Sequence, residues 1–71
     1  MHYQYYNSHI LLVINSKGII RQLHTPFRVT ERFTNSLVYV DEILTNEKDE
    51  LLFVVNNRPL LHSNFRVVIN F

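Results

Sequence analysis

The chain has 71 residues, a formal net charge of +1 and no cysteine. A chain of this length forms at most one domain, and it must bury nearly all of its apolar surface to be stable. Without cysteine it has no disulfide, no thiolate nucleophile and no cysteine zinc site. Its longest apolar runs, such as residues 10–14, are far shorter than the roughly 20 residues of a membrane span, and its N-terminus lacks the features of a signal peptide. We therefore expect one cytoplasmic domain, residues 1–71, with no membrane contact.

The amino-acid composition favours β-structure. The chain contains no alanine, which has the highest helix propensity, but it contains eight valines, six isoleucines and four threonines. These β-branched side chains are stiff and fit the surface of a pleated sheet. Eight asparagines accompany a single glycine, and asparagine tolerates the left-handed backbone conformation that many turns need. The composition predicts an all-β fold with asparagine at many of its turns.

The N-terminal part contains a predicted β-hairpin. Residues 1–8 are polar and aromatic, and they fit either a flexible tail or a first strand. Residues 10–23 contain two apolar runs separated by a polar turn that begins at Asn15 and ends at Gly18. Asparagine at the first turn position and glycine at the last are typical of a type I turn with a glycine bulge, which predicts a hairpin here.

The middle of the chain predicts two further strands. Pro26 ends or interrupts the preceding strand, because proline has no N–H to donate to a ladder. Residues 27–33 alternate in polarity, which predicts a short edge strand or an extended loop with Phe27 and Phe33 in the core. Residues 37–44 predict one strand, with a bulge where two acidic residues break the alternation.

The C-terminal part predicts a β-meander. Residues 45–50 fit a hairpin loop better than a short helix, since no apolar stripe at helical spacing crosses them. Residues 51–55 are apolar at every position and should be covered on both faces. A tight turn at 56–59, a short strand at 60–62 and a last strand at 65–71 follow. Short strands linked in this order predict a small barrel of five or six strands built from antiparallel hairpins.

The segment 61–67, Leu-His-Ser-Asn-Phe-Arg-Val, resembles the end of a Src-homology-3 domain. In that family a Pro-Ser-Asn-Tyr-Val run forms a single 3₁₀ turn between the last two strands. The preceding order of a polar hairpin and a short strand is also similar, so the resemblance covers residues 38–71. It implies a Src-homology-3-like barrel with a 3₁₀ turn near Ser63, of the kind found in small bacterial proteins.

The same resemblance suggests an interaction surface. The family's Pro and Tyr line a groove for proline-rich peptides, and the matching positions here are His62 and Phe65, so the proline and the tyrosine hydroxyl are absent. The resemblance therefore implies a protein-interaction surface without the family's peptide-groove residues. Our candidate partner-binding residues are Tyr39, His62 and Phe65.

No pattern of catalytic or ligand-binding residues is present. The four histidines, at positions 2, 9, 24 and 62, do not pair with each other or with a carboxylate at a metal-ligand spacing. The acidic pairs at 41–42 and 49–50 fit a solvated loop better than a cation site or an acid–base pair. We expect no enzymatic activity, no metal, no cofactor and no small-molecule substrate.

The charges are unevenly distributed along the chain. Residues 41–50 contain five acidic residues and one lysine, whereas the other positions contain six basic residues and one acidic residue. Basic side chains interleaved with aromatic ones are typical of single-strand nucleic-acid binding. The alternative function is thus a nucleic-acid-binding barrel that uses Arg28, Arg32 and the N-terminal tyrosines. Its candidate residues are Tyr3, Tyr5, Arg28, Arg32, Arg58 and Arg66.

Three apolar runs of the chain suggest that it associates with a second copy of itself. The runs at 10–14, 51–55 and 67–69 are apolar on both strand faces, yet a single small sheet or barrel buries only one face. The other face needs a cover, and a second copy is the commonest partner. We predict a non-enzymatic interaction or assembly module whose partner is another protein or a second copy in a homodimer.

Overall fold

The computed structural model of the chain describes residues 2–71, and these form nine β-strands and one 3₁₀ turn at His62–Asn64. The all-β prediction is confirmed, whereas the predicted number of five or six strands is wrong. The strands are β1 His2–Asn7, β2 Ile10–Ile14, β3 Ile20–His24, β4 Phe27–Glu31, β5 Leu37–Val40, β6 Glu42–Thr45, β7 Leu51–Val55, β8 Arg58–Leu61 and β9 Phe65–Val67.

The nine strands of residues 2–71 form three antiparallel sheets of three strands each. Their orders are β1-β2-β3, β5-β4-β9 and β6-β7-β8. The hydrogen-bonded ladders between these described strands do not close into a barrel. The expected strand 37–44 is divided at Asp41 into β5 and β6, which belong to different sheets. The Asp41 amide donates to the Val54 carbonyl at 2.9 Å, so the interruption takes the chain from one sheet to the next.

The predicted hairpin at 10–23 is confirmed. Gly18 has a φ of +81°, and its amide donates to the Asn15 carbonyl at 3.0 Å, as the glycine-bulge turn requires. For the N-terminus, the structure shows the first-strand alternative, since β1 pairs with β2 along His2–Asn7. Met1, part of the segment 1–8, lies outside the described residues.

The hairpin alternative for residues 45–50 is also confirmed. The Asn46 side-chain oxygen accepts hydrogen bonds from the amides of Lys48 and Glu50, at 2.9 and 3.0 Å, and Asp49 takes a φ of +59°. The tight turn after β7 has Asn56 and Asn57 at φ +53° and +63°, the pair of positive values that a type I′ turn needs.

The C-terminal segment differs from its prediction. The 3₁₀ turn near Ser63 is confirmed, but the last strand ends at Val67 rather than at residue 71. Beyond it, Ile69 and Phe71 pack against the core without joining a ladder, and the Arg21 guanidinium lies 5.2 Å from the centroid of the Phe71 ring. These apolar residues are thus partly buried by packing rather than by strand pairing.

The core lies between the inner sides of the three sheets and centres on Phe53. The Phe53 ring is fully buried, with centroids of Phe27 at 5.7 Å, Phe65 at 6.0 Å and Tyr3 at 6.2 Å. Phe27 is a core residue as predicted, but Phe33 is 85% exposed, so its core assignment is wrong. The reason is that β4 ends at Glu31 and Phe33 lies in the following turn. In residues 2–71, no helix has the length and apolar character needed to cross a membrane.

Candidate binding cleft

A cleft of 440 Å³ opens between two of the sheets. One wall is the inner side of β5-β4-β9 and the other is the inner side of β6-β7-β8, since residues from both line it. We call this the inter-sheet cleft, and its lining residues are Glu31, Phe33, Val38, Val55, Asn56, Arg58, Leu60, Asn64 and Phe65.

Strand pairing places the polar side chains at the edge of the inter-sheet cleft. Glu31 is the last residue of β4 and pairs with Phe65, the first residue of β9. On the opposite wall, Arg58 pairs with Val55 next to the turn that joins β7 to β8. Cross-strand partners lie on the same side of a sheet, so a carboxylate and a guanidinium lie beside an apolar floor. A cleft of this kind suits an apolar group with polar neighbours.

Phe33, which among residues 2–71 is the most exposed large apolar side chain, lies at the rim of this cleft within a hydrogen-bonded turn. The Asn35 amide donates to the Glu31 carbonyl at 2.8 Å, and the Arg32 amide donates to the Asn64 carbonyl at 3.0 Å. Asn35 supplies the left-handed conformation, with φ +57°. The backbone on both sides of Phe33 is therefore held by hydrogen bonds while its ring faces solvent.

A second cluster links the two ends of the chain. The Tyr3 hydroxyl forms a hydrogen bond with Nδ1 of His62, and the two rings meet edge to face with centroids 5.3 Å apart. Burial raises the pKa of the Tyr3 phenol, while the positive charge of Arg32 acts in the opposite direction. Tyr3 is half-buried beside Phe53, so its ring is part of the packing between β1 and the 3₁₀ turn.

The third cluster lies on the outer side of β5-β4-β9. Arg28 pairs with Tyr39, and Thr30 pairs with Leu37 on one side and Arg66 on the other. Tyr39 is 55% exposed, and both arginines are exposed. The structure thus places one candidate partner-binding residue and two candidate nucleic-acid-binding residues on one sheet face.

All the predicted site residues except Tyr5 therefore fall into three groups. The tyrosine and histidine candidates Tyr3 and His62 form one cluster, with the charge of Arg32 acting on Tyr3. Phe65, only 2% exposed, and Arg58 line the inter-sheet cleft. Tyr39, Arg28 and Arg66 share the outer sheet face, and Tyr5 lies on β1, partly exposed.

Sequence reasoning assigned Phe33 to the core and therefore did not select it as a functional residue. The signal that could have identified it is the turn sequence Thr-Asn-Ser at 34–36, which follows it directly and ends the alternation that began at Phe27. Its exposure depends on where β4 ends, and that is set by the pairing of Glu31 with a distant strand.

The polar side chains of residues 2–71 do not assemble a metal site. No group of three or more histidine, aspartate or glutamate side chains in this range lies where it could hold an ion. The arrangement in the inter-sheet cleft is suited to binding through apolar contact and two opposite charges.

Comparison with known proteins gave no relatives: no protein-family model, curated protein or solved structure matches the chain.

Proposed function

We propose that the protein is a non-enzymatic interaction module of the cytoplasm whose inter-sheet cleft receives an apolar side chain from a protein partner. The observation that carries this proposal is the combination of a 440 Å³ cleft with Phe33, a ring that is 85% exposed, at its rim. Exposed aromatic rings beside apolar pockets are typical of the few residues that supply most binding energy in interfaces.

The charges at the cleft support a protein partner over a small molecule. Glu31 and Arg58 lie on opposite walls, so the surface offers one hydrogen-bond acceptor group and one donor group around an apolar floor. A peptide segment presents matching donors and acceptors on both sides of each side chain, because its backbone has an N–H and a C=O at every residue. The partner is expected to anchor one large apolar side chain.

A second copy of the chain is one protein partner that we propose. Strand register places Leu44, Leu52 and Leu61 side by side on the outer side of β6-β7-β8. This row supports the prediction that residues 51–55 need cover on both faces, and a homodimer would supply it.

We also propose that residues 38–71 are related in arrangement to Src-homology-3-like domains. The support is the order of a polar hairpin between β6 and β7, a tight turn into β8, the 3₁₀ turn at His62–Asn64 and β9. An experimental structure whose strands after Val38 superpose on such a domain in the same order would support the relation, and a different strand order would contradict it.

Selection from a displayed library of random peptides tests the cleft directly. The Phe33→Ala variant removes the exposed ring at the rim, and Tyr6→Ala removes an exposed aromatic ring on β1 as the matched control. We expect peptides enriched on the natural protein to share one large apolar residue. They should lose about tenfold or more in affinity for Phe33→Ala, as for an interface hot spot, and keep their affinity for Tyr6→Ala. Equal affinity for both variants, or no enriched peptide, contradicts the proposal.

A further inference from the structure

The outer side of β5-β4-β9 carries two exposed arginines and an exposed tyrosine on one sheet face. We call Arg28, Thr30, Leu37, Tyr39 and Arg66 the basic sheet face. Their neighbours Val29, Val40 and Val67 are buried on the opposite side of the same strands. Because side chains alternate along a strand, the five residues of the basic sheet face point away from the core.

The charges of this face are of one sign. Within the described strands β4, β5 and β9, the acidic residue is Glu31, which lines the inter-sheet cleft on the inner side. The other acids lie between 41 and 50, and Asp41, directly after β5, bounds the face at one end. Arg66 pairs with Thr30, two residues beyond Arg28, so the two arginines are diagonal neighbours with Cα atoms roughly 7–8 Å apart.

We propose that the basic sheet face binds single-stranded nucleic acid, with Arg28 and Arg66 contacting phosphates and the Tyr39 ring stacking on a base. Single strands are bound by positive side chains that follow the backbone together with aromatic rings that stack on bases. Arg28 lies opposite Tyr39 and Arg66 lies on the far strand, so the ring and the two charges span all three strands of the face. An exposed base can reach a ring on such an open face, whereas the bases of a duplex are already stacked on each other.

The proposal is tested with a fluorescein-labelled oligothymidylate, whose binding is followed by fluorescence anisotropy across a series of salt concentrations. Two phosphate contacts predict that the logarithm of the binding constant falls with the logarithm of salt concentration with a slope of about −1.4. The same sequence as a duplex should bind more weakly, because its bases are not free to stack. A dissociation constant weaker than about 10⁻⁴ M at low salt, where non-specific binders still bind, overturns the proposal.

Matched variants separate this face from general electrostatics. Arg28→Glu/Arg66→Glu and Lys17→Glu/Lys48→Glu change the net charge equally, but the two lysines lie in the β2–β3 and β6–β7 hairpin turns. We expect the double arginine variant to lose oligonucleotide binding and the double lysine variant to bind only slightly more weakly than the natural protein. Equal losses in both double variants contradict a site on β5-β4-β9.

The Tyr39→Ala variant tests base stacking. Loss of one stacked base predicts a decrease in affinity of roughly fivefold or more, with an unchanged salt slope. A polyglutamate peptide is the second probe. The proposal is wrong, and the face recognises acidic protein, if polyglutamate binds as tightly as the oligonucleotide and Tyr39→Ala changes the affinity for neither probe. The side chains of Arg28, Tyr39 and Arg66 are exposed, so circular dichroism should show that their variants keep the fold. The cleft variant Phe33→Ala should bind the oligonucleotide as tightly as the natural protein does.

Discussion

Two hairpins of this protein have the same turn geometry but different residues at its critical position. In the β2–β3 turn, the Asn15 side chain accepts from the amides of Lys17 and Ile19, at 2.9 and 3.0 Å. In the β6–β7 turn, Asn46 makes the equivalent bonds at the same two distances. In both, the residue three positions after the asparagine has positive φ, and its amide donates to the asparagine carbonyl at 3.0 Å.

The residue at the left-handed position distinguishes the two turns. It is Gly18 in the first hairpin and Asp49 in the second. Glycine adopts positive φ without steric strain. A residue with a Cβ is sterically strained in this conformation, although aspartate is strained less than most. The asparagine side-chain bonds are the feature that the two turns share, whereas glycine occurs in only one of them. The glycine in the first turn indicates a hairpin directly. The second turn has no glycine, so for residues 45–50 the sequence left both a hairpin loop and a short helix open.

Replacement of Asn15 should have the largest effect on stability. Asn15 is only 8% exposed and its two bonds are partly buried, so Asn15→Ala leaves the amides of Lys17 and Ile19 without their acceptor where water replaces it less readily than at the protein surface. We expect a loss of about 2 kcal/mol in the free energy of unfolding, measured by urea denaturation. A loss no larger than that of a surface substitution would show that the side-chain bonds do not define the turn.

Exchange of glycine for aspartate should have the next largest effect. Gly18→Asp places in the first turn the residue that the second turn has at this position. Apart from the adjoining residues, no atom lies within 4 Å of the added Cβ, so the positive φ rather than a steric clash is expected to determine the change in stability. We expect a loss of about 1 kcal/mol from positive φ. The control is Ser16→Asp, which adds the same charge in the same turn without that conformation.

Removal of the second asparagine should cost less than removal of the first. The bonds of Asn46 to Lys48 and Glu50 lie at an exposed loop, so water can replace the lost acceptor in Asn46→Ala. We expect a decrease of about 0.5–1 kcal/mol in the free energy of unfolding. A decrease equal to that of Asn15→Ala would remove burial as the difference between the turns.

The smallest effect should come from Asp49→Gly. This change relieves the positive φ of Asp49 but makes the unfolded chain more flexible, so the two contributions partly cancel. We expect a gain of about 0.5 kcal/mol in stability, detected as a higher midpoint in urea. A measured loss would mean that the aspartate side chain stabilises the folded turn.

The same two turns show how far sequence reasoning reaches. Turns and alternation are local, so the hairpin at 10–23, the loop at 45–50 and the 3₁₀ turn at His62–Asn64 were predicted from a few neighbouring residues. The sheet in which each strand lies depends on contacts between distant residues. Residues 37–44 were therefore predicted as one strand, because nothing local shows that the chain changes sheets at Asp41.

The candidate sites depend on those distant contacts as well. The inter-sheet cleft lies between two different sheets, and it is lined by both Glu31 and Arg58, residues that no sequence pattern connects. Phe65 was singled out by resemblance to a motif, whereas Phe33 was assigned to the core, since alternation alone does not show where a strand stops pairing. The sequence thus indicated individual candidate residues such as Phe65 better than it indicated which residues come together in one site.

The most direct test of the proposed binding site is chemical-shift mapping by nuclear magnetic resonance, with N-acetyl-phenylalanine amide titrated into the ¹⁵N-labelled protein. This probe carries one apolar side chain between two peptide groups, as the proposed partner does. The account predicts saturable shifts that are largest at the amides of Val38, Val55 and Leu60, which line the inter-sheet cleft, and that are lost in Phe33→Ala. Shifts that concentrate on another surface, or shifts that persist in Phe33→Ala, would contradict it.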